Sequence, residues 1–323
     1  TIYEAAVKHN NLFIRVDILI KRGLFIKIIE VKAKSIDNKL KSFLTKKEDK
    51  VLAKWEPYLF DVAFQRYVAR SAFPDLTVTS YLLLTDKTAT TPTEGLNQKF
   101  QITVDDKKRK GVSVSSSLSE EDLSVKLMRQ IPVDVECDLI CNTKVGNDRR
   151  GVNFIGQIKE YSKSYSNDIK IRPILKKECR DCEFHASQKD LDSGFRSGFH
   201  ECWKEQLNWT DQDFEKPNVL NIWNFKPKDK FIKQGKIKFS QMYEEDINPK
   251  FESGDGKLCT KERQWFQIEK VKNNDTSAWI DKSGLKAEMD SWVYPLHFID
   301  FETTAMAIPF NKGRRPYEGI AFQ

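Results

Sequence analysis

Asp17, Glu30 and Lys32 carry the sharpest chemical signal in the sequence. Residues 12–20 (LFIRVDILI) alternate as a strand does, and residues 24–33 (LFIKIIEVKA) resume after a Lys21-Arg22-Gly23 turn. Gly23 is free to take the positive φ that such a turn needs. The gap is too short for a crossover, so the two strands form an antiparallel hairpin. In a strand, residues two apart share a face, so Glu30 and Lys32 point the same way. The hairpin register then sets Asp17 opposite Glu30, with the side chains roughly 5 Å apart. Two carboxylates at that separation repel, and a hard divalent cation, Mg²⁺ or Mn²⁺, resolves the repulsion. Lys32 would orient a water and steady the charge that builds on a phosphoryl oxygen. The plainer alternative is a solvent-facing cross-strand charge set. Against it, Ile28 and Ile29 lead directly into Glu30, and a carboxylate placed among apolar neighbours is costly unless compensated.

A second chemical group is soft. Cys179 and Cys182 stand at C-x-x-C spacing, with Cys202 further on. Two thiolates at that spacing converge on one metal or one cluster edge, which suits Zn²⁺ or an iron–sulfur cluster. His185 and His200 keep a mixed Cys/His zinc site open, and Cys137 with Cys141 are either a source of a further ligand or reduced structural thiols. A third group, Asp300 and Glu302 in FIDFE (298–302), shares one face of an apolar strand.

The elements that must position these residues follow from pattern. Residues 1–7 have the texture of a strand, and the Lys-rich stretch 34–54 that of a flexible loop. Residues 57–70 read as a helix with Pro57 in its first turn. On that helix Tyr58, Asp61 and Gln65 share one face, whereas Tyr67, about 200° from Gln65, points away. Strands are expected at 76–84 and 97–104, and a helix near 119–130 capped by Ser119. From about 175 the text becomes Trp-rich and helical, clearest at 260–273, and residues 293–301 resume a buried-strand pattern.

The whole chain has 323 residues, the length of about two domains. With 39% hydrophobic, 11% aromatic and 31% charged residues it is neither disordered nor membrane-spanning in composition. No signal segment opens it, so a cytoplasmic location without membrane association is expected. The net charge of +7 permits a polyanionic partner without requiring one. The basic runs at 46–50 and 105–111 mix both signs and read as solvated loops.

The series RVDILI, IIEVKAKS and YLFDVAFQRYV resembles the PD-(D/E)xK nuclease superfamily in its RecB-like branch. The resemblance implies an α/β fold, a restriction-endonuclease-like mixed sheet with flanking helices, followed by a mostly helical segment. It implies Asp17 and Glu30 as metal ligands, the Val31 carbonyl as a third, Lys32 as the catalytic lysine, and Gln65 as the first residue of the branch's Gln-x-x-x-Tyr helix motif. The motif departs here, because Ala69 stands where the Tyr would be. Cys179, Cys182 and Cys202 would hold a [4Fe-4S] cluster, with Zn²⁺ the alternative. Asp300 and Glu302 are similar to the first metal motif of RNase-H-like, DnaQ-like exonucleases. The order of these parts resembles a mostly bacterial family that joins a RecB-like nuclease to such a domain. It implies a nuclease core over 1–175 lacking its leading helix, a cysteine-bearing helical segment over 176–290, and the start of a further domain over 291–323. The expected activity is metal-dependent hydrolysis of DNA. The alternatives are a non-catalytic nucleic-acid-binding scaffold and catalysis residing in the RNase-H-like part.

Overall fold

A computed structural model describes residues 1–37, 39–40, 42–142, 152–250 and 258–322. The chain divides into two compact units, residues 1–170 with 299–323, and residues 171–298.

The first unit is built on a five-stranded mixed sheet. The alternating segments form β1 (Ile2–His9), β2 (Leu12–Arg22) and β3 (Phe25–Ile36), an antiparallel meander whose second turn uses Gly23 at φ +55°. Helix α1 (Glu56–Ala72) starts with Pro57 in its first turn and stops just before Pro74, which cannot continue a helix. The chain then returns as β4 (Thr77–Asp86), parallel to β3. A two-stranded ribbon follows, β5 (Phe100–Val104) with β6 (Lys110–Val114), and then β7 (Met128–Pro132), antiparallel to β4. The sheet order is β1-β2-β3-β4-β7. Helices α2 (Asp134–Asn142) and α3 (Phe154–Ser166) complete the flank.

α1 buries Leu59, Val62, Ala63, Val68 and Ala69 and lies over the sheet between two parts of the core. Val68 and Ala69 pack with Val7, Ile14, Val16, Ile26 and Ile28. Leu59, Val62 and Ala63 pack with Leu82, Leu84, Cys137 and Ile158. At roughly 1.5–3 kcal/mol per buried large apolar side chain, this interface is a main source of the unit's stability.

Three sequence expectations are corrected. Residues 34–54 are not a bare loop: Phe43 is buried against the Trp55 ring, and Leu44 bridges Val51. No helix forms at 119–130. Ser119 does make a capping exchange with Asp122, but the Asp122 carboxylate is claimed by Lys99 and Thr93, and residues 128–132 join the sheet instead. Tertiary pairing overrides a local helix signal here. The strand expected over 97–104 starts at Phe100, after a short 3-10 turn over Leu96–Lys99.

Residues 310–314 clasp the loop after β4. Thr91 N–H donates to the Arg314 carbonyl (2.9 Å), Gly313 N–H to the Thr91 carbonyl (2.8 Å) and Gly95 N–H to the Phe310 carbonyl (2.6 Å). Glu94 accepts from the Lys312 N–H and the Asn311 amide, which hold its carboxyl below the usual glutamate range.

The second unit is helical, with α4 (Gln188–Asp192), α5 (Gly198–Leu207), α6 (Asp211–Phe214), α7 (Lys228–Lys233), α8 (Glu244–Ile247), α9 (Thr260–Lys272) and α10 (Lys282–Asp290). Its core gathers Phe199, Trp203, Trp209, Ile222, Phe239, Met242 and Ile268. No described helix is long and apolar enough to cross a membrane.

Candidate active site

β2 presents Asp17 at a place where pairing toward β1 skips one position and pairing toward β3 ends. Toward β1 the register runs Tyr3–Ile18 and then Ala5–Val16, skipping Glu4, whose φ is +51°. Toward β3 the ladder ends at Ile18–Ile29, the pair beside Asp17 and Glu30. The Asp17 carboxylate bridges that gap, its Oδ2 accepting the Val31 N–H at 2.7 Å. β3 is irregular here too, since its pairing with β4 shifts between Val31 and Ser35. Such interruptions re-aim side chains out of the pleat.

The left-handed Glu4 gives one prediction. A bulky L-residue at φ +51° costs about 1–2 kcal/mol, and glycine removes that at an entropic cost of about 0.5–1 kcal/mol. The Glu4–Arg15 pair is more than half exposed on both sides and adds little. Glu4→Gly is expected to raise the urea midpoint slightly, by up to about 1 kcal/mol of stability.

Four side chains form a closed hydrogen-bonded ring beside Asp17. Lys32 Nζ donates to Glu30 Oε1 at 2.6 Å and to Asp61 Oδ2 at 2.7 Å. Gln65 Nε2 donates to Glu30 Oε2 at 2.7 Å and to Asp61 Oδ1 at 3.3 Å. Two donors thus tie a carboxylate of β3 to one of α1. Asp61 and Gln65 meet the strand together because they are four residues apart on one helical face. Gln65 is no surface residue: it is 5% exposed, and Glu30 is 6% exposed.

Burial, above all, holds the Glu30 carboxyl above the usual glutamate range; the Asp61 and Asp17 charges add to it, against the Lys32 and Gln65 hydrogen bonds. Burial also opposes the Lys32 charge, but hydrogen bonds to Asp61 and Glu30 outweigh it and raise the lysine pKa. Three carboxylates against one ammonium leave excess negative charge, and every anionic donor is a hard oxygen. That chemistry fits Mg²⁺ or Mn²⁺. Asp17 and Glu30 are the expected ligands brought together. Val31 lies on the same edge with its N–H committed to Asp17. Among the described residues no three His, Cys, Asp or Glu side chains gather as a complete ion cage.

Asp61, which the sequence groups with Tyr58 and Gln65 as a face that could substitute for the departed helix motif, is the member that bonds Lys32. Its signal was the spacing to Gln65. Tyr58, on the same face, brings its ring 6.0 Å from Lys32 Nζ. Tyr67 does point elsewhere, into the core on either side of α1.

In the second unit Cys179, Cys182 and Cys202 all pack, half-buried, against one hydrophobic cluster. His185 stacks on Phe199 with its ring centroid 5.2 Å from that of His200. Burial, then the His185 charge, lowers the His200 pKa and favours its neutral, ligating form. Cys137 is a core residue of the first unit, and burial pushes its thiol up to about 12. It stays a protonated thiol at neutral pH, as a structural cysteine does.

The strand expected over 293–301 is absent. Phe298, Ile299 and Phe301 are 93%, 73% and 68% exposed, and Asp300 and Glu302 stand in irregular, exposed chain. A buried strand needs a neighbour and a covering layer. Among the described residues the only pairing nearby is β8 (Thr303–Thr304) with β9 (Ile320–Ala321). The two acidic residues therefore do not sit on a buried strand face.

Comparison with protein-family models, with curated proteins and with solved structures finds no match for this chain.

Proposed function

We propose that the first unit is a metal-dependent nuclease that hydrolyses DNA phosphodiesters at the Asp17–Glu30–Lys32 site. The observation that carries this reading is the ring of Glu30, Lys32, Asp61 and Gln65 next to Asp17, at a point where the β1–β2, β2–β3 and β3–β4 pairings are all interrupted. Asp17 and Glu30, with the Val31 carbonyl, would hold Mg²⁺ or Mn²⁺. Such an ion, when bound, supplies a nucleophilic water at neutral pH and charge neutralisation at a phosphoryl oxygen. Lys32 would keep its bond to Asp61 if Glu30 served the ion, and would steady charge on the phosphoryl oxygen. Gln65 fixes the Glu30 carboxylate. The reading extends to the second unit, whose three cysteines would staple it through an iron–sulfur cluster or Zn²⁺.

Mn²⁺ titration followed by thermal unfolding tests the site. A ligand at a hundred times its Kd stabilises by about 2.7 kcal/mol, so the wild-type transition should move up and that of Glu30→Ala should not. The pH dependence has a defined sign. The Glu30 carboxyl, raised in the fold, favours the fold while protonated, so without metal that contribution is lost as pH rises from the ordinary glutamate value through the raised one. Metal binding needs the ionised form, so the Mn²⁺-induced shift should grow across the same window. A shift of equal size in Glu30→Ala, or one that shrinks with rising pH, contradicts the assignment.

A further inference from the structure

Between the β1–β2 turn and the last turns of α3 lies a cleft of about 360 Å³. Lys159, Ser162 and Lys163 of α3 line it, with His9 and Asn10 of the turn and Tyr67 of α1. Among the described residues no aspartate or glutamate is in its wall. A neighbouring cleft of about 370 Å³ that also uses Tyr67 makes the contrast: there Arg66 and Arg70 both face Asp138, at 2.5 and 3.6 Å, so its cations already have their counter-ion.

The geometry of the first cleft is fixed by long-range bonds. Asn11 Nδ2 donates to Ser166 Oγ at 2.9 Å, latching the turn to the helix. Asn10 takes φ +51° and its amide lies 3.0 Å from His9 Nε2, ordering the imidazole. Lys159 and Lys163 are four residues apart on one helical face, where like charges destabilise each other unless an anion lies between them. Helix C-termini ordinarily disfavour anions, but here the last carbonyls are occupied. Those of Lys163, Ser164 and Tyr165 accept the N–H groups of Asn167, Ile169 and Asp168, and that of Ser162 accepts the Ser166 hydroxyl. Two ammonium groups, an imidazole, a serine hydroxyl, an amide and a phenol line this cleft with no carboxylate among the described residues, a set that matches an oxyanion with several acceptor oxygens.

We infer that this cleft binds a phosphate group, carried either by a nucleic-acid strand or by a small phosphorylated ligand. The inference stands without the nuclease reading, which only supplies the first of the two sources. Leu12, where the turn enters β2, is five residues from Asp17, roughly 16 Å at the strand rise, so a strand reacting at Asp17 would place a phosphate several nucleotides away in the cleft.

Full-length protein in EDTA, where no cleavage intervenes, is the material for the test. Inorganic phosphate binding is measured by calorimetry, and binding of an internally labelled oligonucleotide by anisotropy over a salt series. A Lys159→Gln/Lys163→Gln double variant should bind phosphate at least tenfold more weakly, and Lys159→Arg/Lys163→Arg should bind as wild type does. If the strand is the source, the oligonucleotide also weakens and its log K against log[salt] slope falls by about 1.4–1.8. If a small ligand is the source, phosphate binding alone weakens. Phosphate and oligonucleotide binding both unchanged in the Gln variant overturns the inference. Because no arm measures cleavage, failure here leaves the Asp17–Glu30–Lys32 reading standing, and loss of that reading leaves the cleft.

Discussion

A Lys32→Ala protein is expected to cleave DNA about 10²–10³-fold more slowly than wild type in Mn²⁺, while binding the ion at least as tightly. The two halves of that result come from one geometry. Lys32 Nζ sits 2.6 Å from Glu30 and 2.7 Å from Asp61, so it competes with a cation for Glu30. On the proposed reading, removing it would free the carboxylate for metal and take away the cation that would steady the developing phosphoryl charge. Glu30→Ala is expected to lose both properties together. Asp61→Asn should fall between, since Lys32 keeps Glu30 but loses the partner that holds it when Glu30 turns away. The measurement is single-turnover cleavage beside Mn²⁺ calorimetry on the same variants. Lys32→Ala cleaving as fast as wild type would sink the nuclease proposal.

The largest stability effect is expected in the other unit. Trp203 is fully buried and lies between Phe199 and Trp209, with ring centroids 5.5 and 5.2 Å away. Trp203→Ala should cost about 3–5 kcal/mol. Trp203→Phe should cost much less, under about 1.5 kcal/mol, for a reason beyond its size. The Trp203 indole N–H is buried and finds no acceptor among the described residues, so phenylalanine gives up area but also sheds an unsatisfied donor. Urea unfolding of both variants measures the ratio. With two compact units in the chain, the Ala variant should show a separate early transition while the Mn²⁺-responsive transition keeps its midpoint.

The part of this molecule that was legible in advance is the part written in short-range period. Alternation between Leu12 and Ile20 gave β2, and the Gly23 turn fixed a register that brings Asp17 to Glu30. Spacing on one helical face grouped Asp61 with Gln65. What those two residues touch was not legible, because it depends on how α1 crosses the sheet over β3, a long-range fact. The same limit explains the misses. Ser119 has a helix start's chemistry, yet its segment is captured by Lys99 and β4. Residues 293–301 have a buried strand's composition, yet no described strand pairs with them. The left-handed Glu4 beside Asp17 left no trace in the sequence, since glutamate is not a residue that announces a positive φ.

The clasp of residues 310–314 on the loop after β4 bears on the order in which the protein takes shape. Every residue of the ring, and Asp17 beside it, lies between positions 17 and 65, so the site leaves the ribosome as one block, closed by nearby contacts. Thr91 must wait for Arg314, 223 positions later, and for the whole second unit to be synthesised in between. Contacts of such separation close slowly. A nascent chain can therefore assemble the ring well before the loop at 91–95 meets its partners in residues 310–314.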